Sequence, residues 1–263
     1  MTITNWGCDF KNIKAQWDKK VVLNQANLSL DLKTDPYIPL CGITGGGKTT
    51  AMHLMSSQKK PHGGKITWRF PDGTVFEWTS SQPLSARQIT LLRCNYFGMA
   101  FQDSILLPHL KINENFIYRL TMRPRTGIID QEKINQALKS VLVTKDEKKH
   151  SIDYWLNKFP HELSGGQRQR FSLAQAMIRD PYVLFADEPT GSLDRKARED
   201  VMQVLWDWVE AKKGQRALIW ITHHMEYPDD PDMKKATERY YFTEDGQFEK
   251  QSYVKEQTKW LNI

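Results

Sequence analysis

Paired cysteines, long apolar runs, internal repeats and a strong excess of one charge are all missing from this chain of 263 residues. Its three cysteines, Cys8, Cys41 and Cys94, lie far apart and form no C-x-x-C or similar spacing. That argues against a zinc or redox motif and for small apolar thiols in a reducing compartment. No uninterrupted apolar stretch reaches the roughly 20 residues that a helix needs to cross a bilayer. The opening MTITNWGCDFKNIKAQWDKK lacks the apolar core of a signal peptide, so a membrane role would come through a partner. The net charge of +6, from 37 basic and 31 acidic residues, tolerates an anionic ligand or an acidic surface but does not point to nucleic acid.

What is present is an ordinary globular composition, 40% apolar and 26% charged with both signs mixed, in a chain long enough to bury a sizeable core. VVLNQANLSL at 21–30 alternates, with Val22, Ala26, Leu28 and Leu30 set between more polar positions, and predicts part of an antiparallel sheet. PYIPLCG at 36–42 followed by TAMHLM at 50–55 predicts strand, Gly-rich loop, helix. Pro39 is unexpected in a central strand because it removes a ladder donor, so the strand is expected to be short or bulged there. Ile66, Trp68 and Phe70, then Asp72-Gly73, then Val75, Phe76 and Trp78 predict a hairpin over 63–80.

Downstream, the polar stretch at 107–160 predicts helices, with Ile134, Leu138 and Val141 on one face. Ser164 is a plausible cap for a helix that stops at Pro181 and turns Phe171, Ala174, Met177 and Ile178 inward. YVLFADE at 182–188 and ALIWITH at 217–223 read as buried strands, separated by a helix with Val201, Val204, Leu205, Trp208 and Val209 on its face. Strands alternating with helices predict an α/β fold with a mostly parallel sheet. The tail at 228–263 is expected to form an edge hairpin, turning at Asp245-Gly246, and then a small helix.

The sharpest local signal is Gly42-Ile43-Thr44-Gly45-Gly46-Gly47-Lys48-Thr49, an ungapped G-x-x-x-x-G-K-[ST]. Glycines let successive backbone N–H groups turn inward around phosphate oxygens, and the helix that follows adds its positive end. Lys48 can reach the outer phosphates and the Thr49 hydroxyl can ligate Mg2+. A second site ends the strand Leu184-Phe185-Ala186-Asp187-Glu188. Asp187 is the candidate for the metal and Glu188 for polarising an attacking water. A strand ending in two acids is, by itself, as often a solvated edge; the phosphate loop upstream is what gives this one chemistry.

Leu163-Ser164-Gly165-Gly166-Gln167, placed between the phosphate loop and the acidic strand, resembles the signature of ATP-binding cassette (ABC) ATPases. Phe101-Gln102 resembles that family's glutamine loop, Ser192-Leu193-Asp194 its dimer-contact loop and Thr222-His223 its histidine switch, all in the family's order over about 15–225. The resemblance implies a P-loop NTPase core with an N-terminal antiparallel β subdomain and a helical subdomain inserted at about 103–160, making one domain of 1–263. It implies two copies packed head to tail, each enclosing ATP between one phosphate loop and the partner copy's signature. Ser164, Gly165 and Gly166 would then meet the outer phosphate of the other copy's nucleotide, and Asp194 would link the sites. Gly42, Thr44, Gly45, Gly46, Gly47, Lys48, Thr49 and Thr50 would cradle the chain's own. Gln102 would contact metal or water, and His223 would hold the outer phosphate and orient Glu188. The family also places an aromatic platform for adenine about 30 residues before the loop lysine, which points to Trp17, with Phe10 and Trp6 as rivals and a plain core tryptophan as the bland alternative.

The run Phe101 to Leu110 with Glu114-Asn115, together with Glu188-Pro189-Thr190-Gly191-Ser192-Leu193-Asp194, resembles the subgroup serving lipoprotein-releasing, macrolide-exporting and cell-division systems. The chain departs from the family's pattern at Thr44 and Gly46, at His224 where Asp is usual, and in extra length around 71–88. The expected function is therefore Mg-dependent ATP hydrolysis at the cytoplasmic face of a membrane, driving an integral membrane partner, with no nucleic-acid partner. A soluble relative acting on ribosomes or DNA fits less well, because neither a second cassette nor a coiled-coil or zinc insertion is present. A regulatory cassette with little turnover fits less well because Glu188 and His223 are retained.

Overall fold

In the computed structural model, which describes residues 5–17, 20–103, 105–121, 130–142, 149–223, 230–254 and 259–262, the two periodicities of the sequence sort into two sheets and a set of helices. An antiparallel sheet carries β1 (Gly7–Trp17), β2 (Lys20–Asp31), β4 (Gly63–Arg69) and β5 (Val75–Thr79) in the order β2-β1-β4-β5. A seven-stranded sheet runs β11-β10-β9-β3-β8-β7-β6. In it β6 (Phe97–Ala100), β7 (Val183–Asp187), β8 (Ala217–Ile221), β3 (Tyr37–Gly42) and β9 (Glu238–Phe242) are parallel, while β10 (Phe248–Val254) and β11 (Lys259–Asn262) are antiparallel.

Of the parallel strands, β3, β7 and β8 are buried on both faces, as near-continuous apolar runs require. Val183 and Phe185 of β7, with Ala217, Ile219 and Ile221 of β8, pack toward the antiparallel sheet and α1 (Lys48–Met55). Leu184, Ala186, Leu218 and Trp220 pack the other way, toward the later helices. Those are α3 (Ile112–Thr121), α4 (Gln131–Lys139), α5 (Ile152–Leu156), α6 (Gly165–Met177) and α7 (Arg195–Glu210); α2 (Ala86–Leu91) and a π-helical turn (Leu92–Tyr96) lead into β6. The expected inward faces hold: Ile134, Leu138, Val141, Phe171, Ala174, Val201, Leu205 and Val209 are all buried. Trp206 and Trp208 are packing groups, Trp206 set edge-on to both Tyr37 and Trp220. Cys8 and Cys41 are buried free thiols, and burial pushes Cys41 up to about 12. No helix among the described residues is long and apolar enough to cross a membrane.

Three expectations need correction. Val22 does not share the inward stripe of Ala26, Leu28 and Leu30; Leu23 does. A bulge with Gln25 at φ 51 shifts the register between Ala26, opposite Ile13, and Leu23, opposite Ala15, so parity changes mid-strand. Pro39 causes neither a break nor a bulge. The β8 side of β3 is used by even-numbered residues, since Leu218 N donates to Pro36 O and Thr222 N to Leu40 O. Pro39 therefore turns its missing donor toward β9, where pairing begins only at Leu40. The tail, finally, forms the expected hairpin around Asp245-Gly246, but not as the outermost pair of the sheet and with no helix among the described residues after it. Its hairpin β9–β10 inserts β9 beside β3, and the segment expected to be helical contributes the strand β11.

Candidate functional site

The phosphate loop connects β3 to α1 at the carboxyl edge of the parallel sheet. Gly47 sits at the helix start with φ 103, and a Cβ there would lie 2.9 Å from Val22 Cγ1, so glycine is required both by conformation and by the closeness of β2. No side chain caps α1 and no acid occupies its first turn, which leaves its leading N–H groups to an anion. Lys48 is buried and folds back on the loop, donating from Nζ to Gly42 O at 2.8 Å and Ile43 O at 2.7 Å. Burial lowers its pKa, opposed chiefly by the charge of Glu188.

Asp187 ends β7 and Glu188 follows with φ 47, its amide donating to Ile221 O at 3.2 Å. This left-handed turn presents the Glu188 carboxylate to the end of β8, where its Oε1 meets His223 Nε2 at 2.6 Å. A carboxylate only accepts, so His223 donates through Nε2–H. Gln102 approaches from β6: a side-chain carbon at Gly191 would lie 3.3 Å from Gln102 Nε2 and 3.4 Å from Glu188 Oε2, so the two flank one glycine. Burial, then the neighbouring charge of Glu188, raises the pKa of Asp187. A carboxylate so placed is relieved by a cation.

A cavity of about 580 Å3 gathers Trp17, Thr44, Gly45, Gly47, Lys48, Thr49, Thr50, Glu188 and His223. Sequence reasoning missed the other residues that line it: Lys20, Val22, His53 and Lys59. Trp17 is 57% exposed whereas its rivals Trp6 and Phe10 are 3% and 2% exposed, so only Trp17 can offer a ring face. Lys59 Nζ lies over one of the ring's two faces, 3.4 Å from the centroid, a cation–π contact that no local signal announced.

Ser164, Gly165, Gly166 and Asp194 come together in a different cavity, also about 580 Å3, which shares no residue with the first. Ser164 caps α6 through a capping box with Gln167, and Asp194 caps α7 by accepting from Ala197 N. A third cavity, about 540 Å3, lies at the opposite, amino edge of the sheet between Tyr96, Asp180, Tyr182 and Arg216, where Asp180 pairs with Arg216 and Lys212. His224 lies outside the described residues.

The profile of the family described as ABC transporter matches residues 25–191, more than half of the chain. The chain belongs to the ABC transporter family. An uncharacterised ABC transporter ATP-binding protein of Methanocaldococcus jannaschii, MJ0796, is 26% identical over 237 residues, 90% of this chain and 92% of that protein. The lipoprotein-releasing system ATP-binding protein LolD of Aquifex aeolicus is 30% identical over 217 residues, 81% of this chain and 88% of LolD. The macrolide export ATP-binding/permease protein MacB 2 of Aeromonas hydrophila subsp. hydrophila is 33% identical over 76% of this chain, which spans 28% of that protein. The solved dimeric cassette of MJ0796 superposes with a TM-score of 0.71 at 25% identity, covering 94% of this chain and 98% of that one. The mixed sheet, antiparallel subdomain and helical subdomain are thus the ABC ATPase fold, and an ATP-binding, ATP-hydrolysing subunit is the family's reading of this chain.

Proposed function

We propose that two copies of the chain close around two ATP molecules, hydrolyse them, and pass the opening and closing to an integral membrane protein at its cytoplasmic face. The observation that carries this reading is the Glu188–His223 pair at 2.6 Å in one cavity with Lys48, while the signature residues open onto another. A nucleotide on the phosphate loop reaches Ser164, Gly165 and Gly166 only from a second copy.

ATP stacks its base on Trp17 and threads its phosphates along Gly42, Thr44, Gly45, Gly46, Gly47 and Thr50, and Lys48 exchanges its two carbonyl partners for phosphate oxygens. Glu188 accepts a hydrogen bond from water and directs the water oxygen at the terminal phosphorus; the bond to the bridging oxygen breaks, giving ADP and phosphate. His223 fixes the Glu188 carboxylate and reaches toward the outgoing phosphate. No group of three or more His, Cys, Asp or Glu that could hold a metal occurs among the described residues. Mg2+ takes one or two protein oxygens and completes its shell with phosphates and water, and the Asp187 carboxyl, its pKa raised by burial and the Glu188 charge, is a group that such a cation would relieve. Thr49, Asp187 and Gln102 are the residues that would hold it, and it would supply charge neutralisation at the phosphate oxygens.

Likeness to LolD and MacB 2, whose names state lipoprotein release and macrolide export, favours a partner of that kind. The test is Glu188→Gln expressed with affinity purification from membranes in ATP. Hydrolysis is expected to fall about 10²- to 10⁴-fold while ATP binding persists, and a stoichiometric integral membrane protein should co-purify. Recovery of ribosomes, DNA-repair proteins or a bare soluble dimer would sink the transporter reading.

A further inference from the structure

One charged side chain near the site has no part in the mechanism above and is fully buried. Asp232, 0% exposed, lies on the segment between the switch histidine and β9. Its Oδ2 accepts from Thr190 Oγ1 at 2.7 Å and from Thr222 Oγ1 at 3.0 Å. Its Oδ1 accepts from Arg198 Nη2 at 3.1 Å, and the same nitrogen donates to Asp230 Oδ1 at 2.5 Å. The Asp232 amide donates to Asp230 Oδ1 at 3.0 Å, closing the turn.

Each partner belongs to a different part of the machinery. Thr190 stands two residues after Glu188, on the loop whose Gly191 amide donates back to Glu188 O at 3.1 Å. Thr222 immediately precedes His223. Arg198 is one turn into α7, its amide donating to Asp194 O at 2.9 Å. Glu188 and His223 are each more exposed than Asp232, and each is carried on a short stretch of backbone leaving a strand end. A shift of either stretch would change their separation.

A buried carboxylate is costly unless it is paired and hydrogen-bonded, and an apolar side chain could fill the same space. This one is fully engaged by two hydroxyls and a guanidinium that come from three separate stretches of chain. We propose that Asp232 is a positioning residue: through Thr190 and Thr222 it sets the spacing of Glu188 and His223, and through Arg198 it ties that pair to the Asp194 turn. This inference rests on the ATPase reading of the same site.

The test uses the full chain with Thr190→Val and Thr222→Val, which remove one hydroxyl each at nearly constant shape, and Thr190→Ser and Thr222→Ser, which keep the hydroxyl. Steady-state ATP hydrolysis is compared with wild type and Glu188→Gln, and thermal midpoints are recorded. The valine variants should lose about 10- to 100-fold in kcat, as small misplacements of reacting groups do, with KM within about twofold. The serine variants should recover most of the loss, and the double valine variant should be far less impaired than the product of the singles predicts, because both act through one carboxylate. The His223 ring nitrogen resonances report its bond to Glu188 whether or not the chain turns over. In both valine variants they should move toward those of Glu188→Gln. Valine variants that melt lower yet keep wild-type kcat and unmoved His223 resonances would overturn the proposal and leave Asp232 a fold-stabilising group. Wild type without hydrolysis, but with His223 resonances that move as expected, would overturn the ATPase reading alone.

Discussion

The phosphate-loop cavity and the signature cavity have the same volume, about 580 Å3 each, and are furnished in opposite ways. The first collects Trp17, Lys48, Glu188 and His223 from distant parts of the chain, and its charged groups face one another. The second draws mostly on two contiguous stretches, and its acids are already engaged: Asp194 with the Ala197 amide, Asp200 with Arg170 at 3.7 Å. One holds groups that can react; the other holds two capped helix starts. On the proposed function, binding belongs to the first cavity and closure to the second, so each should be removable without the other.

The largest expected effect that sharpens this contrast is Gly165→Asp. The nearest atom to a Cβ at Gly165 is Leu193 Cδ2 at 3.9 Å, so the side chain fits, and an acid in the first turn suits the helix. Its charge would repel a phosphate. ATP-driven dimerisation measured by light scattering, together with hydrolysis, should be lost by about 100-fold or more, while the affinity of the single chain for ADP stays at the wild-type value. Loss of ADP binding as well would break the comparison.

Trp17→Ala should act on the first cavity alone and more gently. Base stacking contributes about 1–3 kcal/mol, so ATP affinity measured by calorimetry should fall roughly 5- to 150-fold. Binding of inorganic tripolyphosphate, which has no base, should hold. Equal losses for both ligands would mean that Trp17 shapes the loop rather than receives the base.

The smallest effect belongs to a position outside both cavities and sets the baseline for stability alone. Burial, and then the nearby Glu238 charge, push Asp35 up to about 7. The folded chain therefore holds a proton that the unfolded chain releases near pH 4, and this contribution to stability is lost as pH rises toward 7. Asp35→Asn should raise the melting temperature more at pH 8 than at pH 5, with ATP affinity unchanged. A gain equal at both values would mean that the carboxyl carries no such penalty.

The family was legible in the sequence because the glycine-rich loop, the acidic strand and the Leu163–Gln167 run are local: each is a short run whose spacing carries its own physics. The helical faces were legible for the same reason, since Ile134 and Leu138 stand at i, i+4 on α4 and Val141 follows just past its end. What the sequence hid depends on contacts between distant segments. The bulge at Gln25 that turns Val22 toward Gly47 leaves no compositional trace. That Trp17 is exposed while Trp6 and Phe10 are buried, and that Lys59 lies on its ring, needed the third dimension. Asp232 belongs to no short motif, and its partners lie up to 42 positions away.

The place of β9 has a consequence for how the chain is made. Leu40 is registered with Tyr240, so the strand that carries the phosphate loop waits for about 200 further residues before that flank is covered. At about 5–20 residues per second of synthesis the wait is roughly 10–40 s, long enough for an open central edge to recruit another nascent chain. Pro39 points its missing donor to that same edge, which leaves any intruding strand one bond short. A residue that looks like a defect in the finished sheet would thus make the unfinished edge a poorer template.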